Sequence, residues 1–439
     1  MHRNLAELAR LCDGEVEGPG AIDVKGYSVD SRSINSGDLF IPLVAERDGH
    51  DFVKDAFKAG AVAHLQSNGI SHGPSIRVED TLKALQVLAQ RTTEILPTTV
   101  VGVTGSVGKT TTKDMLRSCL EVQYQTWASQ SSFNNEIGVP LTILRAPGIT
   151  EFLVLEMGAR GEGQISRLCE IASPLIGVVT QVGLAHSEFF GGLEGIIRAK
   201  SELIESLPSD GLAVLNGDDE NVRNMQARTS ANVLLFGSSG GDVVAEEVFL
   251  GEDLCPRFVI RSEWGSSEVA LATPGLHNVN NALAAATVSL YCNVPLVQVV
   301  ASLEMVQISP LRMEISETKA GVLLINDAYN ANPLSMSAAL ETLASSSRTN
   351  LIAVLGLMAE LGPEAEQSHC EIGNKAEQMN ISVISVGVPE YGGKLVENLT
   401  EAVSLIQEMM PFDNDTAILL KGSRIAGLER IANELFSEQ

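Results

Sequence analysis

The sequence predicts an α/β protein of three domains with mainly parallel sheets. The chain has 439 residues, a length that suggests about three domains. From Thr98 onwards, short apolar strands alternate with helical stretches, which is typical of parallel sheets covered by helices. A glycine-rich loop follows the first of these strands. Together these features favour a doubly covered sheet at the centre of the chain.

Residues 1–96 form the predicted small N-terminal α/β domain. Short apolar segments are separated by SINSGD and ERDGHD, where Gly, Asn and Asp favour turns. The amphipathic stretch TLKALQVLAQRTTEIL predicts a helix over 81–96 that Pro97 closes, because proline disrupts a helix interior. The first residues mix charged with apolar positions, so we expect a short helix there and not a signal peptide.

Residues 97–309 form the predicted central domain, which is of the P-loop type. The strand TTVVGV leads into TGSVGK and then into the helical stretch TTTKDMLRSCLEV. Further apolar strands are FLVLEM, LIGVVTQV and LAVLNG, with helical segments between them. Such alternation predicts a mainly parallel sheet.

Residues 310–439 form the predicted C-terminal domain, which is Rossmann-like. Its strands are VLLIND, LIAVLG, ISVISVG and AILLKG, and they alternate with helices such as SMSAALETLA. The segment lacks the GxGxxG fingerprint of dinucleotide-binding domains, so nothing in it predicts NAD.

Composition limits the class of partner. The formal net charge of −25 argues against nucleic acid, whose binding requires a strongly basic face. No stretch approaches the roughly 20 apolar residues of a membrane helix, so membrane insertion is not expected. The six cysteines are scattered and form neither a zinc motif nor a disulfide framework, which favours a cytoplasmic location.

The strongest local motif is the glycine-rich loop at 102–112. It follows an apolar strand and opens a helix, as a phosphate-binding loop must. Gly105 and Gly108 allow the backbone N–H groups to turn towards phosphate oxygens, and Lys109 can reach the β- and γ-phosphates. Thr110 can bind Mg²⁺ through its hydroxyl. A purely structural turn would explain the two glycines but not Gly-Lys-Thr after a strand.

Two polar residues follow apolar strands at the same predicted edge of the sheet. Glu156 lies near the end of the strand FLVLEM, and we expect it to bind Mg²⁺ together with Thr110. A salt bridge or helix cap is the alternative. His186 follows LIGVVTQVGLA. A single histidine is more often a hydrogen-bonded structural residue than a metal ligand.

Several further blocks resemble the Mur ligase family. They cover the chain from end to end in the family's order, so the resemblance is far more specific than one phosphate loop. The matching blocks are VDSRSINSGDLFIPL, RDGHDFVKDAFKAGA, TGSVGKTTTK, SSFNNEIGVPLT, LEMGARGEGQI, AHSEFFGGLEGIIRAKSEL, GLHNVNNALAA, NDAYNANPLSM, LMAELG and LKGSR.

The resemblance implies an ATP-driven peptide-bond-forming ligase. The family member with these blocks joins D-alanyl-D-alanine to UDP-N-acetylmuramoyl-tripeptide through an acyl phosphate, releasing ADP and phosphate. The implied arrangement has a UDP-sugar-binding N-terminal domain, an ATP-binding central domain and a C-terminal domain that closes over ATP. We expect a monomer.

The resemblance also implies roles for individual residues. The family carries a carbamate on the lysine that matches Lys200, and His186 would contact a second Mg²⁺; the alternative for Lys200 is a helix lysine whose stem covers apolar surface. Catalytic roles are thus expected for Lys109, Lys200 and His186, and metal binding for Thr110, Glu156, His186 and Lys200. Nucleotide contacts are expected from Gly105, Ser106, Val107, Gly108, Lys109, Thr110, Thr111, His277, Asn278, Asn281, Arg312, Asp327, Tyr329 and Asn330.

Substrate contacts are expected at three places in the chain. Ser31 and Arg32 would contact the UDP-sugar, and Asn134, Asn135 and Glu136 the peptide, with turn chemistry as the alternative. Lys421 and Arg424 would bind the carboxylate of the acceptor dipeptide, for which arginine offers a bidentate fork. For Asn278 and Asn281, capping of a helix is the alternative to the nucleotide contact that the resemblance implies.

The sequence departs from the family pattern at three positions and leaves rival functions open. Ser132 stands where an Asn is usual before NNEIG. Leu357 stands where an Asp is common, and Leu311 where a Gly is frequent before Arg312. The nearest rival is a sister Mur ligase that adds a diamino acid to the UDP-dipeptide. A P-loop regulatory NTPase and a non-catalytic UDP-sugar-binding protein are the alternatives from other classes.

Overall fold

The computed structural model describes residues 3–69, 71–130, 133–184, 187–319 and 321–436. Within these ranges the strands form three large sheets and one small two-stranded sheet, and the chain is a three-domain α/β protein as predicted. No helix in the described ranges is long and apolar enough to cross a membrane. The predicted domain boundaries at 96/97 and 309/310 stay predictions.

The N-terminal domain contains a five-stranded sheet in the order β2-β7-β6-β5-β4. Only the β2–β7 pair is antiparallel. Asp80 caps the long helix α3 by accepting from Lys83 N, which fixes where this amphipathic helix begins. The elements are β1 (Arg3–Asn4), α1 (Leu5–Leu11), β2 (Glu15–Glu17), β3 (Asp23–Val24), β4 (Gly26–Ser28), β5 (Asp38–Phe40), α2 (Val53–Ala59), β6 (Ala63–Gln66), β7 (Ser75–Arg77) and α3 (Thr81–Ile95).

The central domain is built on a nine-stranded sheet, ordered β16-β15-β14-β13-β12-β11-β8-β10-β9. The strands from β9 to β14 are parallel, which confirms the mainly parallel sheet. The elements are β8 (Thr99–Thr104), α4 (Lys109–Glu121), β9 (Thr126–Ala128), α5 (Gly138–Arg145), β10 (Phe152–Glu156), α6 (Gln164–Ala172), β11 (Ile176–Val179), α7 (Ser187–Phe190), α8 (Leu193–Glu205), β12 (Leu212–Asn216), α9 (Glu220–Arg223), β13 (Asn232–Gly237), β14 (Val243–Leu250), β15 (Pro256–Ser262), β16 (Gly265–Ala270), α10 (Asn278–Tyr291) and α11 (Leu296–Met305).

An antiparallel extension, β14 to β16, completes this sheet on one side. These strands lie outside those that the apolar runs predict. Buried residues alternate with partly buried ones along most of β15 and in the first half of β14, up to the register shift between Glu246 and Phe249. A strand with one solvated face lacks the continuous apolar run of a fully covered parallel strand.

The C-terminal domain has a six-stranded sheet in the order β17-β18-β22-β19-β20-β21. Only the edge strand β17 is antiparallel to its neighbour. Apolar clusters cover both faces of this sheet. The elements are β17 (Glu314–Glu317), β18 (Leu323–Asn326), α12 (Pro333–Ala344), β19 (Asn350–Leu355), α13 (Ala365–Gln378), β20 (Ser382–Val386), β21 (Lys394–Val396), α14 (Leu399–Met409), β22 (Thr416–Lys421) and α15 (Glu429–Phe436).

Candidate active site

The glycine-rich loop connects the buried strand β8 to the start of α4. Gly105 and Gly108 have backbone φ angles of 148° and 83°, which residues other than glycine rarely adopt. A Cβ at Gly105 would lie 2.1 Å from Thr180 Oγ1, and one at Gly108 would lie 2.2 Å from Asn281 Oδ1. Both glycines are therefore required by conformation and by space. The loop leaves the N-terminus of α4 facing a cavity between the central and C-terminal domains. The partial positive charge of the helix N-terminus favours an anion there.

Lys109 is the first residue of α4. In the described residues its Nζ donates to Gly105 O at 2.8 Å and to Ser106 O at 3.4 Å. Burial lowers the pKa of Lys109, Glu156 opposes this shift and Arg312 adds to it. A cation that is held by carbonyls of its own loop has the position and the charge to bind a phosphate group.

Glu156 ends β10 and is 2% exposed. Its Oε2 accepts from Thr110 Oγ1 at 2.7 Å, and its Oε1 accepts from Asn134 Nδ2 at 2.8 Å. The first contact brings together Thr110 and Glu156, two of the four residues that the sequence predicts to bind metal. Asn134 orients the carboxylate from the opposite side.

Arg312 reaches this group from the segment that enters the C-terminal domain. Its Nη2 donates to Thr110 Oγ1 at 2.8 Å, and its guanidinium lies 4.2 Å from the centre of the Tyr329 ring. Its Nε is buried without a hydrogen-bond partner in the structure. A buried, unsatisfied donor on a cation is costly, so the site fits an additional anion.

Lys200, in α8, is 3% exposed. Burial, and secondarily the charge of Lys109, lowers the pKa of Lys200 to about 7, while Glu202 and Glu156 oppose the shift. The Nζ lies 5.7 Å from the centre of the Phe190 ring. The interpretation of Lys200 as a solvated cation on a helix surface is therefore wrong.

The start of α10 lies beside the phosphate loop. Asn281 Oδ1 accepts from Thr112 Oγ1 at 3.2 Å, and Asn281 Nδ2 donates to Asn278 Oδ1 at 2.8 Å. The helix cap is His277, and its side chain makes no capping hydrogen bond. The asparagines thus connect α10 to α4 and are not helix caps.

Lys421 is buried at the end of β22, in the wall of the same cavity. It pairs with Asp327 Oδ2 and donates to Asn330 O at 3.1 Å. Asp327 Oδ1 in turn accepts from Met313 N at 3.2 Å. These contacts order the strand ends of the C-terminal domain that face the phosphate loop.

These residues line one cavity of about 690 Å³ between the central and C-terminal domains. The sequence did not single out Arg160, Thr180, Asn216 or Asn280, which also line it. Thr180 follows β11 and Asn216 is the last residue of β12, so the rule that ligands bind at the carboxyl ends of parallel strands predicts their position. The predicted residues in its lining are Gly105, Ser106, Val107, Gly108, Lys109, Thr110, Thr111, Asn134, Asn135, Glu136, Glu156, Lys200, His277, Asn278, Asn281, Arg312, Asp327, Tyr329, Asn330 and Lys421.

Of the predicted residues that the structure describes, three are not among those that line it. Ser31 and Arg32 lie in a short 3₁₀ turn of the N-terminal domain, where Arg32 pairs with Asp30 at 2.7 Å. Arg424 is exposed beyond β22 and pairs with Glu429 at 3.1 Å. His186 lies outside the described residues. Asn135, inside the cavity, also accepts from Gly138 N at the start of α5, which is turn chemistry.

The sequence of the chain is similar to those of known proteins along almost its whole length. The family model "Mur ligase middle domain" matches residues 103–289, and "Mur ligase, glutamate ligase domain" matches residues 311–424. The UDP-N-acetylmuramoyl-tripeptide–D-alanyl-D-alanine ligase of Bacillus subtilis (strain 168) is 35% identical, with 99% of this chain and 98% of that protein covered. The enzyme of the same name from Escherichia coli (strain K12) is 33% identical, with 98% of each covered.

Solved structures show the same likeness. A crystal structure of MurF from Acinetobacter baumannii superposes with a TM-score of 0.90 at 32% identity and covers 99% of both chains. The MurF ligase from Thermotoga maritima in complex with ADP gives 0.83 at 30% identity, covering 93% of this chain and 96% of that one. This chain belongs to the Mur ligase family, because its sequence is similar along almost its whole length, its fold is shared, and its phosphate loop faces a cavity between domains.

Proposed function

We propose that the chain is a cytoplasmic, monomeric ligase of peptidoglycan precursor synthesis. It joins D-alanyl-D-alanine to UDP-N-acetylmuramoyl-tripeptide at the expense of ATP. The observation that carries this proposal is the meeting of Lys109, Thr110, Glu156 and Arg312 in one cavity between two domains. The names of relatives that match along their whole length support the choice of substrates.

The reaction requires the tripeptide carboxylate to become a better leaving group. Transfer of the γ-phosphoryl group of ATP to a carboxylate oxygen gives an acyl phosphate and ADP. The amine of the dipeptide then attacks the carbonyl carbon, loses a proton, and phosphate departs. Lys109 and Arg312 approach the phosphate site from two domains, so they would neutralise the transferred group when those domains close.

Magnesium fits the oxygen ligands at the centre of the site. In the described residues no group of three or more His, Cys, Asp or Glu side chains can hold a metal. Thr110 and Glu156 offer two hard oxygen atoms, which is typical of Mg²⁺ sites completed by substrate phosphates and water. When bound, the ion would neutralise phosphate charge. Asn134 would hold the Glu156 carboxylate in place.

A carbamate on Lys200 fits its surroundings. An amine with a pKa of about 7 is about half neutral at that pH and mostly neutral above it, and the neutral amine is the form that adds CO₂ with loss of a proton. The nearby positive charge of Lys109, which disfavours a lysine cation, would stabilise an anion at the same position. A carbamate would supply a metal ligand there, and His186 is the proposed contact for a second Mg²⁺.

The remaining roles are assigned by domain. Residues 1–96 would bind the UDP-sugar through Ser31 and Arg32, and residues 97–309 would bind ATP. Residues 310–439 would close over the nucleotide, with Asp327 near the ribose. Lys421 and Arg424 are proposed to bind the dipeptide carboxylate. Because Glu429 already pairs with Arg424, the substrate carboxylate would have to replace it.

The decisive experiment measures phosphate release by the purified chain with ATP, Mg²⁺, UDP-N-acetylmuramoyl-tripeptide and D-alanyl-D-alanine. We expect rapid release only when all substrates are present, together with formation of the UDP-pentapeptide. Rapid ATP hydrolysis by the protein alone would instead identify a regulatory NTPase. Ligation of a free diamino acid to the UDP-dipeptide would identify the sister ligase.

A further inference from the structure

A buried ion pair in α4 contacts the segment that joins the central and C-terminal domains. Asp114 Oδ2 accepts from Ser309 N at 2.8 Å and from Ser309 Oγ at 2.7 Å. Asp114 Oδ1 pairs with Lys113 Nζ at 2.9 Å, and the two side chains are 12% and 3% exposed. Lys113 also donates to Ser129 O at 2.8 Å. None of these residues has a role in the proposed phosphate chemistry.

The joining segment places Arg312 three residues after Ser309. Leu311 and Met313, on either side of Arg312, have φ of 61° and 54°. Residues other than glycine adopt this left-handed conformation infrequently, and contacts with the surrounding structure must offset its cost. The path of the segment therefore depends on its anchors and not on local preference.

The two ends of the segment are anchored on different domains. On the C-terminal side, Met313 N donates to Asp327 Oδ1 at 3.2 Å and Tyr329 N donates to Leu311 O at 3.2 Å. On the central side, Asp114 holds Ser309 through two hydrogen bonds. Hydrogen bonds to a carboxylate are stronger than neutral ones, so Asp114 is a firm anchor.

The contacts also lead back to Glu156, the carboxylate that is proposed to bind Mg²⁺. Ser129, which accepts from Lys113, itself accepts from Glu156 N at 3.2 Å through its hydroxyl. Arg312 closes the ring by donating to Thr110, which donates to Glu156. A shift of Ser309 would therefore be transmitted to the guanidinium beside Thr110.

We propose that Asp114, oriented by Lys113, is a positioning residue that fixes Ser309 and thereby holds Arg312 in the phosphate site. This proposal rests on the proposed function only in taking Arg312 to contact ATP. Asp114 itself touches no substrate. In this proposal its effect on nucleotide binding passes through Ser309 and Arg312, whereas an effect through Lys113, Ser129 and Glu156 would persist without Arg312.

The test is a double-mutant cycle on ATP affinity, measured by calorimetry with Mg²⁺ on the full chain. Asp114→Ala and Ser309→Ala should each weaken ATP binding, by roughly tenfold and threefold, because the anchor loses two hydrogen bonds or one. In an Arg312→Gln background the same changes should weaken it less than about twofold. Glu121→Gln, at the exposed Arg117–Glu121 pair of the same helix, is the matched control and should leave the affinity unchanged.

Each outcome decides the question. Losses of the same size with and without Arg312 would overturn the proposal, as would an unchanged affinity in both single variants. If Asp114→Ala does not fold, Ser309→Ala alone decides, because it removes one hydrogen bond without uncovering Lys113. Wild-type protein that binds ATP but forms no UDP-pentapeptide would overturn the proposed function while the cycle still measures positioning. Wild-type protein that binds no ATP would overturn both.

Discussion

The N-terminal and C-terminal domains meet the central domain through junctions of opposite character. A single apolar cluster runs from Leu85 and Leu88 of α3 into Leu141 of α5 and Ile165 of α6. Between the C-terminal and central domains, polar groups meet at the cavity: Arg312 with Thr110, and Arg160 with Glu360 at 3.1 Å, while Leu254 of the central domain packs in the C-terminal core. The first junction is a shared core, whereas the second surrounds the nucleotide cavity.

The difference indicates which junction can open. Separating a shared core exposes apolar area at about 25 cal/mol per Å², so the N-terminal and central domains should move as one unit. Polar contacts exchange with water at little net cost. We therefore propose that the C-terminal domain is the part that closes over ATP and reopens during the reaction.

The shared core can be tested by creating a cavity in it. Leu141→Ala should lower the free energy of unfolding by about 2–5 kcal/mol, since Leu141 is 2% exposed. Denaturant unfolding should show the N-terminal and central domains losing stability together, with kcat little changed. Separate transitions for the two domains would contradict the shared-core interpretation.

The cavity beside the polar junction should respond in activity and not in stability. Lys109→Ala should reduce kcat by about 10²–10³-fold, as removal of one preorganised electrostatic contact does. Phosphate release is the measurement, and circular dichroism should show an intact fold. A folded variant with near-normal turnover would remove Lys109 from the phosphate site.

The stability of Lys200 variants at different pH values tests the environment of this buried residue in the same cavity. Its folded-state pKa is lowered from 10.5 to about 7, so between these values the unfolded chain binds more protons and stability rises with pH. Lys200→Met removes this dependence, and its stability relative to the wild type should be greatest below pH 7 and fall as pH rises to about 10.5. Unfolding at several pH values in CO₂-free buffer measures the effect; a pH-independent difference would show an ordinary pKa.

Activity of Lys200 variants separates a carbamate from a cation. Lys200→Arg keeps the charge but cannot carry a carbamate, so it should be as inactive as Lys200→Ala. Short carboxylic acids at high concentration should restore part of the activity of the alanine variant by supplying an anion. Normal turnover by Lys200→Arg would rule out the carbamate.

The smallest effect is expected at the exposed interdomain ion pair. Arg160→Gln removes the contact with Glu360, yet the arginine side chain is 68% exposed, so the free energy of unfolding should change by less than about 1 kcal/mol. Thermal unfolding checks this directly. A larger loss of stability would show that this ion pair contributes more than an exposed pair usually does.

Sequence patterns predicted the part of the site that lies near one loop. The strand before Gly105, the Gly-Lys-Thr at 108–110 and the acidic end of β10 are local features, and the carboxyl ends of parallel strands meet at one edge. The burial of Lys200 was not evident, since helical spacing shows only its neighbours along α8. Thr180 and Asn216 were missed because polar residues at strand ends are common.

By itself the sequence determined the three-domain α/β organisation, the phosphate loop and the family, because these depend on periodicity and on short ordered motifs. Tertiary structure decided which distant residues meet: the ion pair of Lys421 with Asp327, the contact of Arg312 with Thr110, and the lowered pKa of Lys200. It also separated an apolar junction from a polar one. These properties arise from packing and desolvation between segments far apart in the chain, and no local pattern carries that information.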